Sequence, residues 1–178
     1  NTTGIIICGI SMEGLQTMAE MLKNRDMEKY YLCIVKGKLN KPQKVSAYLR
    51  KDEKTNKVTV SKQEIFGGNH IETAYEPVIS NDEFTLLKVK LITGKTHQIR
   101  AHLASIGHPL IGDFKYGDRK INQQMKQRFG LKDQLLHCQE IVFPKHMKTC
   151  SNLSGKRIQA PLPKRFETIK QELFGRDL

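Results

Sequence analysis

Apolar positions in this chain fall into short blocks, and their spacing switches between every second residue and every third or fourth. Gly4 to Ile10 is almost wholly apolar, which predicts a strand covered on both faces. Ser11 then caps a helix to about Asn24, where Leu15, Met18, Ala19 and Leu22 recur at helical spacing and read as core. Lys29 to Val35 is rich in Tyr, Ile and Val and reads as a second strand ending at Gly37. Further strands are predicted at Val45–Leu49, Val58–Ser61, Ile71–Ile79 and Phe84–Ile92. Turn signals stand between them at Asn40-Lys41-Pro42, Gly67-Gly68-Asn69 and Ser80-Asn81-Asp82, so neighbouring strands pair antiparallel.

The second half is read the same way. Thr96 caps a helix through Ser105, closed by Gly107 with Pro109 beyond. Arg119 to Asp133 is a polar, basic excursion, helical or loose. A strand from Leu135 to Phe143 ends at Pro144, and Lys145 to Lys156 is a loop. A short strand, Arg157 to Ala160, and an amphipathic helix, Lys164 to Phe174, complete the chain. Many antiparallel strands with few helices make an α+β domain, and no linker divides residues 1–178.

Composition narrows the function classes. Thirty Lys and Arg against eighteen Asp and Glu leave +12 on 178 residues, which argues for a polyanionic partner. The longest apolar run, Ile5 to Ile10, is far short of the roughly 20 residues of a membrane span. Cys8, Cys33, Cys138 and Cys150 show no close pairing, so reduced thiols are expected, with Cys8 and Cys33 packing as small hydrophobes. Structural zinc lacks its ligand spacing, and His97 and His102, about 140° apart on a helix, do not make a metal pair. His102, His108 and His137 read as core or turn histidines. The start, Asn1-Thr2-Thr3-Gly4, has neither a signal-peptide pattern nor an initiator methionine, and reads as cut from a longer chain.

The chemistry concentrates in Leu91 to Leu103. A strand enters a Gly94 turn bearing Lys95, and the following helix presents Thr96, His97, Gln98 and Arg100 in its first turn. Free amides and two cations there suit a phosphate or carboxylate, although a solvated basic turn reads equally well. Arg100 is flanked by Ile99 and Leu103, so it points inward and requires a carboxylate partner; a purely structural ion pair is the plainer alternative.

The string Thr93-Gly94-Lys95-Thr96-His97-Gln98-Ile99-Arg100-Ala101-His102-Leu103 is followed by Ile106-Gly107-His108-Pro109-Leu110-Ile111-Gly112-Asp113 and Lys115-Tyr116-Gly117. Together they closely resemble a signature of the pseudouridine synthases of the ribosomal large-subunit RNA type, a family that includes some transfer-RNA enzymes. Lys29 to Gly37 resembles that family's tyrosine strand. His137, Phe143-Pro144 and Ala160-Pro161-Leu162-Pro163 resemble its C-terminal end. The resemblance implies the family's fold, a mixed, mainly antiparallel sheet flanked by helices, and conversion of uridine to pseudouridine in RNA. It implies no cofactor and no metal, RNA as partner (ribosomal, with transfer RNA as the alternative), a cytoplasmic place, no membrane and a monomer.

The same resemblance implies roles residue by residue. The family's catalytic signature is Arg-Leu-Asp, a variable residue, Asn or Asp, Thr, Ser or Thr, and Gly. Asn1-Thr2-Thr3-Gly4 matches its tail, which puts the aspartate two positions before Asn1 and makes residues 1–178 the larger C-terminal part of a catalytic domain. Arg100 then pairs with that aspartate, and Tyr31 stacks on the target base and is a candidate base for a ribose or ring proton. Tyr30, pointing to the other face, fills core instead. Lys95, Thr96, His97 and Gln98 contact RNA, Lys95 through phosphate. Lys115, Arg119, Lys120, Lys126 and Arg128 either extend the RNA track or form a solvated face. Two rivals remain: a non-catalytic RNA- or ribosome-binding module of the same fold, and an unrelated phosphate-binding enzyme using the Gly94 turn.

Overall fold

The structure is a computed structural model in which residues 1–175 are described, so the last three residues of the expected 1–178 domain lie outside them. Its elements are β1 (Thr3–Gly4), α1 (Met12–Asn24), β2 (Glu28–Lys36), β3 (Gln43–Asp52), β4 (Lys57–Ser61), β5 (Asn69–Ser80) and β6 (Phe84–Leu91). There follow α2 (Gln98–Ser105), α3 (Arg119–Phe129), β7 (Leu136–Val142), β8 (Arg157–Gln159) and α4 (Lys164–Phe174). The strands form one eight-stranded sheet in the order β1-β7-β2-β6-β5-β3-β4, with β8 also on β7. Every pairing is antiparallel except β1 on β7. This is the α+β, mainly antiparallel architecture that the pattern of short strands predicts.

Side-chain alternation sorts the sheet into two faces. On β2, Cys33 and Val35 join Leu87 and Val89 of β6 beneath Ile99 and Leu103 of α2. Leu32 and Ile34 point the other way and pack with Leu86, Met125 of α3, and Phe166 and Ile169 of α4. The centre of the sheet is therefore covered on both sides, and Cys33, Ile34 and Val35 are fully buried. Further out, β3 alternates, with Val45, Ala47 and Leu49 buried, Lys44, Ser46 and Arg50 exposed and Tyr48 half-buried.

The first apolar block departs from its reading. Only Thr3 and Gly4 enter the sheet, and Ile6 and Ile10 are largely exposed, as is Cys8. An apolar run is a covered strand only if neighbours exist on both sides, and after Ile5 donates to the Cys138 carbonyl the chain leaves β7. Gly4 belongs where it is: at φ +103°, a Cβ would lie 2.2 Å from the Cys138 carbonyl oxygen. In α1 the Ser11 cap forms as read, but the buried residues are Met18 and Met21, while Leu15 and Leu22 remain half exposed.

The basic excursion is an ordered helix. Asp118 caps α3 by accepting from the Lys120 and Ile121 amides, and Gly130 closes it in the left-handed region. Asn122 of α3 is buried; its Oδ1 accepts from the Gly112 amide (2.7 Å) and its Nδ2 donates to the Asp113 carbonyl (2.8 Å). Asn122→Leu strands the Gly112 amide, a loss of about 1–3 kcal/mol, while the Asp113 carbonyl keeps the Gly117 amide. Urea unfolding should therefore show a loss of roughly 1–3 kcal/mol, against less than about 0.5 kcal/mol for the exposed Leu22→Ser.

Candidate active site

The turn between β6 and α2 is built by Gln98. Its Oε1 accepts from the Thr93 hydroxyl (2.8 Å) and the Lys95 amide (3.1 Å), and its Nε2 donates to the Glu72 carbonyl (3.0 Å) and Thr73 Oγ1 (3.1 Å). With every hydrogen-bonding position used and the side chain buried, Gln98 shapes the turn. Thr96 does not cap α2. The cap position is His97, left-handed at φ 53° and without a side-chain cap bond, and Thr96 is exposed beside it. The Gln98 amide donates to the Lys95 carbonyl (3.0 Å), so two of the amides expected to greet an anion already have protein acceptors.

Arg100 does point inward and does meet a carboxylate, but the partner lies within the chain. Its Nε donates to Asp113 Oδ2 (2.7 Å) and its Nη2 to Oδ1 (2.8 Å), the bidentate fork that fits a carboxylate best. Asp113 is fully buried, whereas Arg100 keeps 14% of its side chain accessible. The Lys115 and Tyr116 amides also donate to Asp113 Oδ1. Burial pushes the Asp113 carboxyl up, but the Arg100 fork and these amides outweigh it and hold the group below the usual carboxylate range. Tyr116 lies under the guanidinium; its hydroxyl accepts from the Val58 amide (3.0 Å) and bonds His97 Nδ1 (3.0 Å). Burial, with Arg100 and Lys115 nearby, lowers the His97 pKa.

These groups converge on a cleft of about 250 Å³, walled by Leu91, Ile99 and Leu136 and bordered by Thr2, Tyr31, Lys95, His97, Gln98 and Arg100. Tyr31 and Lys95 thus meet Arg100, while Thr96 stays outside. Burial and the neighbouring Cys138 push the Tyr31 hydroxyl well above its ordinary range, so it is a neutral phenol. Tyr30 is not core. It lies on the opposite face, its hydroxyl donating to Glu28 and its ring under Lys88 and Lys90. Thr3 Oγ1 bonds His137 Nδ1 (2.9 Å), which ties the start of the chain to β7 at the cleft edge.

Asp113, Tyr116 and Asn122 received no role from the sequence, although the first two stand inside the motif string that carries the resemblance. In the sequence Lys29 marks only the start of a strand. Burial lowers its pKa, and it forms none of the ion pairs among the described residues. Of the proposed outer track, Arg128 is paired with Glu172 and Lys115 is bonded to the Asn56 carbonyl.

Comparison with known proteins places this arrangement. The family model described as RNA pseudouridylate synthase matches residues 1–105. A ribosomal large subunit pseudouridine synthase C from Pasteurella multocida is 36% identical over 173 residues, which cover 95% of this chain and 50% of that protein. Its counterpart in Haemophilus ducreyi is 34% identical over 177 residues, covering 97% and 52%. Among solved structures, human RNA pseudouridylate synthase domain containing 4 superposes with a TM-score of 0.72 at 19% identity, covering 92% of this chain and 68% of that one. Human RNA pseudouridylate synthase domain containing 1 gives 0.67 at 19%, covering 86% and 62%. The chain belongs to the RNA pseudouridylate synthase family, and it spans about half the length of the curated relatives it matches.

The pair predicts a pH signature. Because the folded Asp113 pKa is depressed, its contribution is full above the unfolded value near about 3.9 and is lost as pH falls through the folded value. In Arg100→Met, burial acts without the fork and raises the carboxyl, so the sign reverses and stability is lost as pH rises. Urea unfolding across a pH series should show a deficit of about 3–5 kcal/mol near neutrality that narrows toward about pH 4. A deficit independent of pH would mean that the pair carries no charge coupling.

Proposed function

We propose that this protein isomerises uridine to pseudouridine in RNA, with large-subunit ribosomal RNA as substrate, and that residues 1–178 are the larger part of its catalytic domain. The observation that carries the reading is the cleft itself, where a tyrosine, a fork-bound arginine and a lysine face one another. In this reaction the N1–C1′ bond breaks, the uracil turns, C5 bonds to C1′, and the C5 proton leaves while N1 gains one. The target nucleotide must first leave its stack to enter the cleft. Thr2 borders the cleft, so an aspartate two positions before Asn1 would lie within roughly 11 Å of that residue along the chain. There it would act at the ribose, with Tyr31 against the base and the accessible edge of Arg100 toward the carboxylate.

One observation favours the second reading, a non-catalytic RNA-binding module of the same fold. Arg100 already has Asp113, so its presence does not demand an upstream aspartate. The readings part in RNA from a strain lacking the protein, with pseudouridine marked chemically and mapped. Loss of a mark from large-subunit ribosomal RNA, restored by the wild-type protein, is expected. Loss from transfer RNA would shift the substrate, and no loss anywhere would favour the binding module.

Tyr31 gives a finer expectation in the full-length enzyme. Tyr31→Phe keeps the stacking ring and should hold RNA affinity while lowering kcat by about 10²–10⁴-fold, the usual range for a proton-handling group. Tyr31→Ala should in addition weaken RNA binding by about 1–3 kcal/mol. Since the hydroxyl is pushed far up, no limb of the pH–rate profile below about pH 10 should vanish in Tyr31→Phe. Unchanged kcat in Tyr31→Phe would confine the residue to stacking.

A further inference from the structure

Beside the cleft, on the same face of the sheet, a groove of about 450 Å³ runs between the C-terminal end of α1 and the β6–α2 turn. Its lining includes the cations Lys23, Arg25, Lys29 and Lys95 and no carboxylate. Lys29 is the informative one. It stands two residues before Tyr31 on β2 and shares its face. Its ammonium lies against Gly94, where a Cβ would stand 3.7 Å from Nζ. It is half-buried, yet it is absent from the nine ion pairs among the described residues. Holding a partly desolvated cation without a counterion costs stability, and an arriving anion would offset that cost. Lys95 and Leu91 line both the groove and the cleft, so an anion here sits next to a base there.

That juxtaposition is the shape of a nucleotide strand. We propose that the groove binds the phosphodiester backbone of the RNA adjoining the nucleotide whose base enters the cleft, an assignment that rests on the RNA-modifying reading above. The strand then runs past Arg25, Lys29 and Lys95. It does not follow Arg119, Lys120, Lys126 and Arg128, which belong to the helix packed on the opposite face.

The test is binding of a fluorescein-labelled oligouridylic acid decamer to the full-length protein across a salt series. Each lost phosphate contact should lower the log–log salt slope by about 0.7. Lys29→Met should therefore reduce it by about that amount, the triple variant Arg25→Ala, Lys29→Met, Lys95→Met by about 2, and Lys126→Ala not at all. The melting temperature of Lys29→Met should equal or exceed that of the wild type, since a half-buried charge is removed. Should that variant fail to fold, the double variant Arg25→Ala, Lys95→Met reads the same groove. A decamer made neutral by methylphosphonate linkages should bind the wild type and the triple variant alike. An unchanged slope in the groove variants, or a difference that persists on the neutral strand, overturns the assignment. Pseudouridine formation by the wild-type protein is measured separately, so failure of the activity reading would be seen apart from failure of the groove.

Discussion

A buried carboxylate must be answered, and the fork of Arg100 on Asp113 is the answer around which this end of the molecule is arranged. One oxygen of Asp113 also takes the Lys115 and Tyr116 amides, and its backbone carbonyl takes Asn122 Nδ2 and the Gly117 amide. Gly117 has to be glycine, because a Cβ would lie 2.2 Å from that same carbonyl oxygen. The loop so gathered places Tyr116 where it holds the first amide of the β4 core and the left-handed His97. Helices α2 and α3, strand β4 and the cleft are thereby tied to one residue. A buried ion pair contributes little net stability over a well-packed apolar pair, so what it supplies here is geometry. A guanidinium clamped on two atoms cannot wander in the cleft.

Much of the fold was legible because strands leave a local mark. Val45, Ala47 and Leu49 alternate with more exposed neighbours, and the breaks at Asn81 and Gly67 are real turns. What failed was the step from pattern to neighbour. Ile5 to Ile10 carries the composition of a covered strand, but pairing with β7 stops after Thr3 and Gly4; Ile5 and Ile7 pack partly buried beside Met18 and Met21, while Ile6, Cys8 and Ile10 face solvent. Likewise Leu15 and Leu22 share helical spacing with Met18, yet the face that packs is set by the rotation of α1 against Ile141 and Phe143. Periodicity states that a face exists, not which face is met.

The site was legible in a different way. Its residues lay in one string, but their division of labour depended on contacts the string does not express. Gln98 and Thr96 both looked like donors at a helix start. The choice between them was made by Glu72 and Thr73, about 25 residues away in sequence, which consume the Gln98 amide from β5. Arg100 required a carboxylate, and the resemblance directed attention upstream, while Asp113 stood 13 residues downstream within the motif. A polar residue in a motif can serve the fold, the ligand or both, and only its partners distinguish these.

The proportions of the cleft carry the last step. About 250 Å³ lies below the roughly 300–1,000 Å³ of sites that enclose drug-sized ligands. Its walls, Leu91, Ile99 and Leu136, are apolar, and Tyr31 stands at its border. On the proposed function, one nucleotide enters here, and its unstacking has to be compensated by contacts outside the cleft. The conspicuous uncompensated charge next to it is Lys29, with Lys95 shared between the two sites. Discrimination by shape in the cleft and attraction along the groove are then separate tasks. On the proposed function, the basic groove serves the second, and the neutral phenol and fork-bound arginine serve the first.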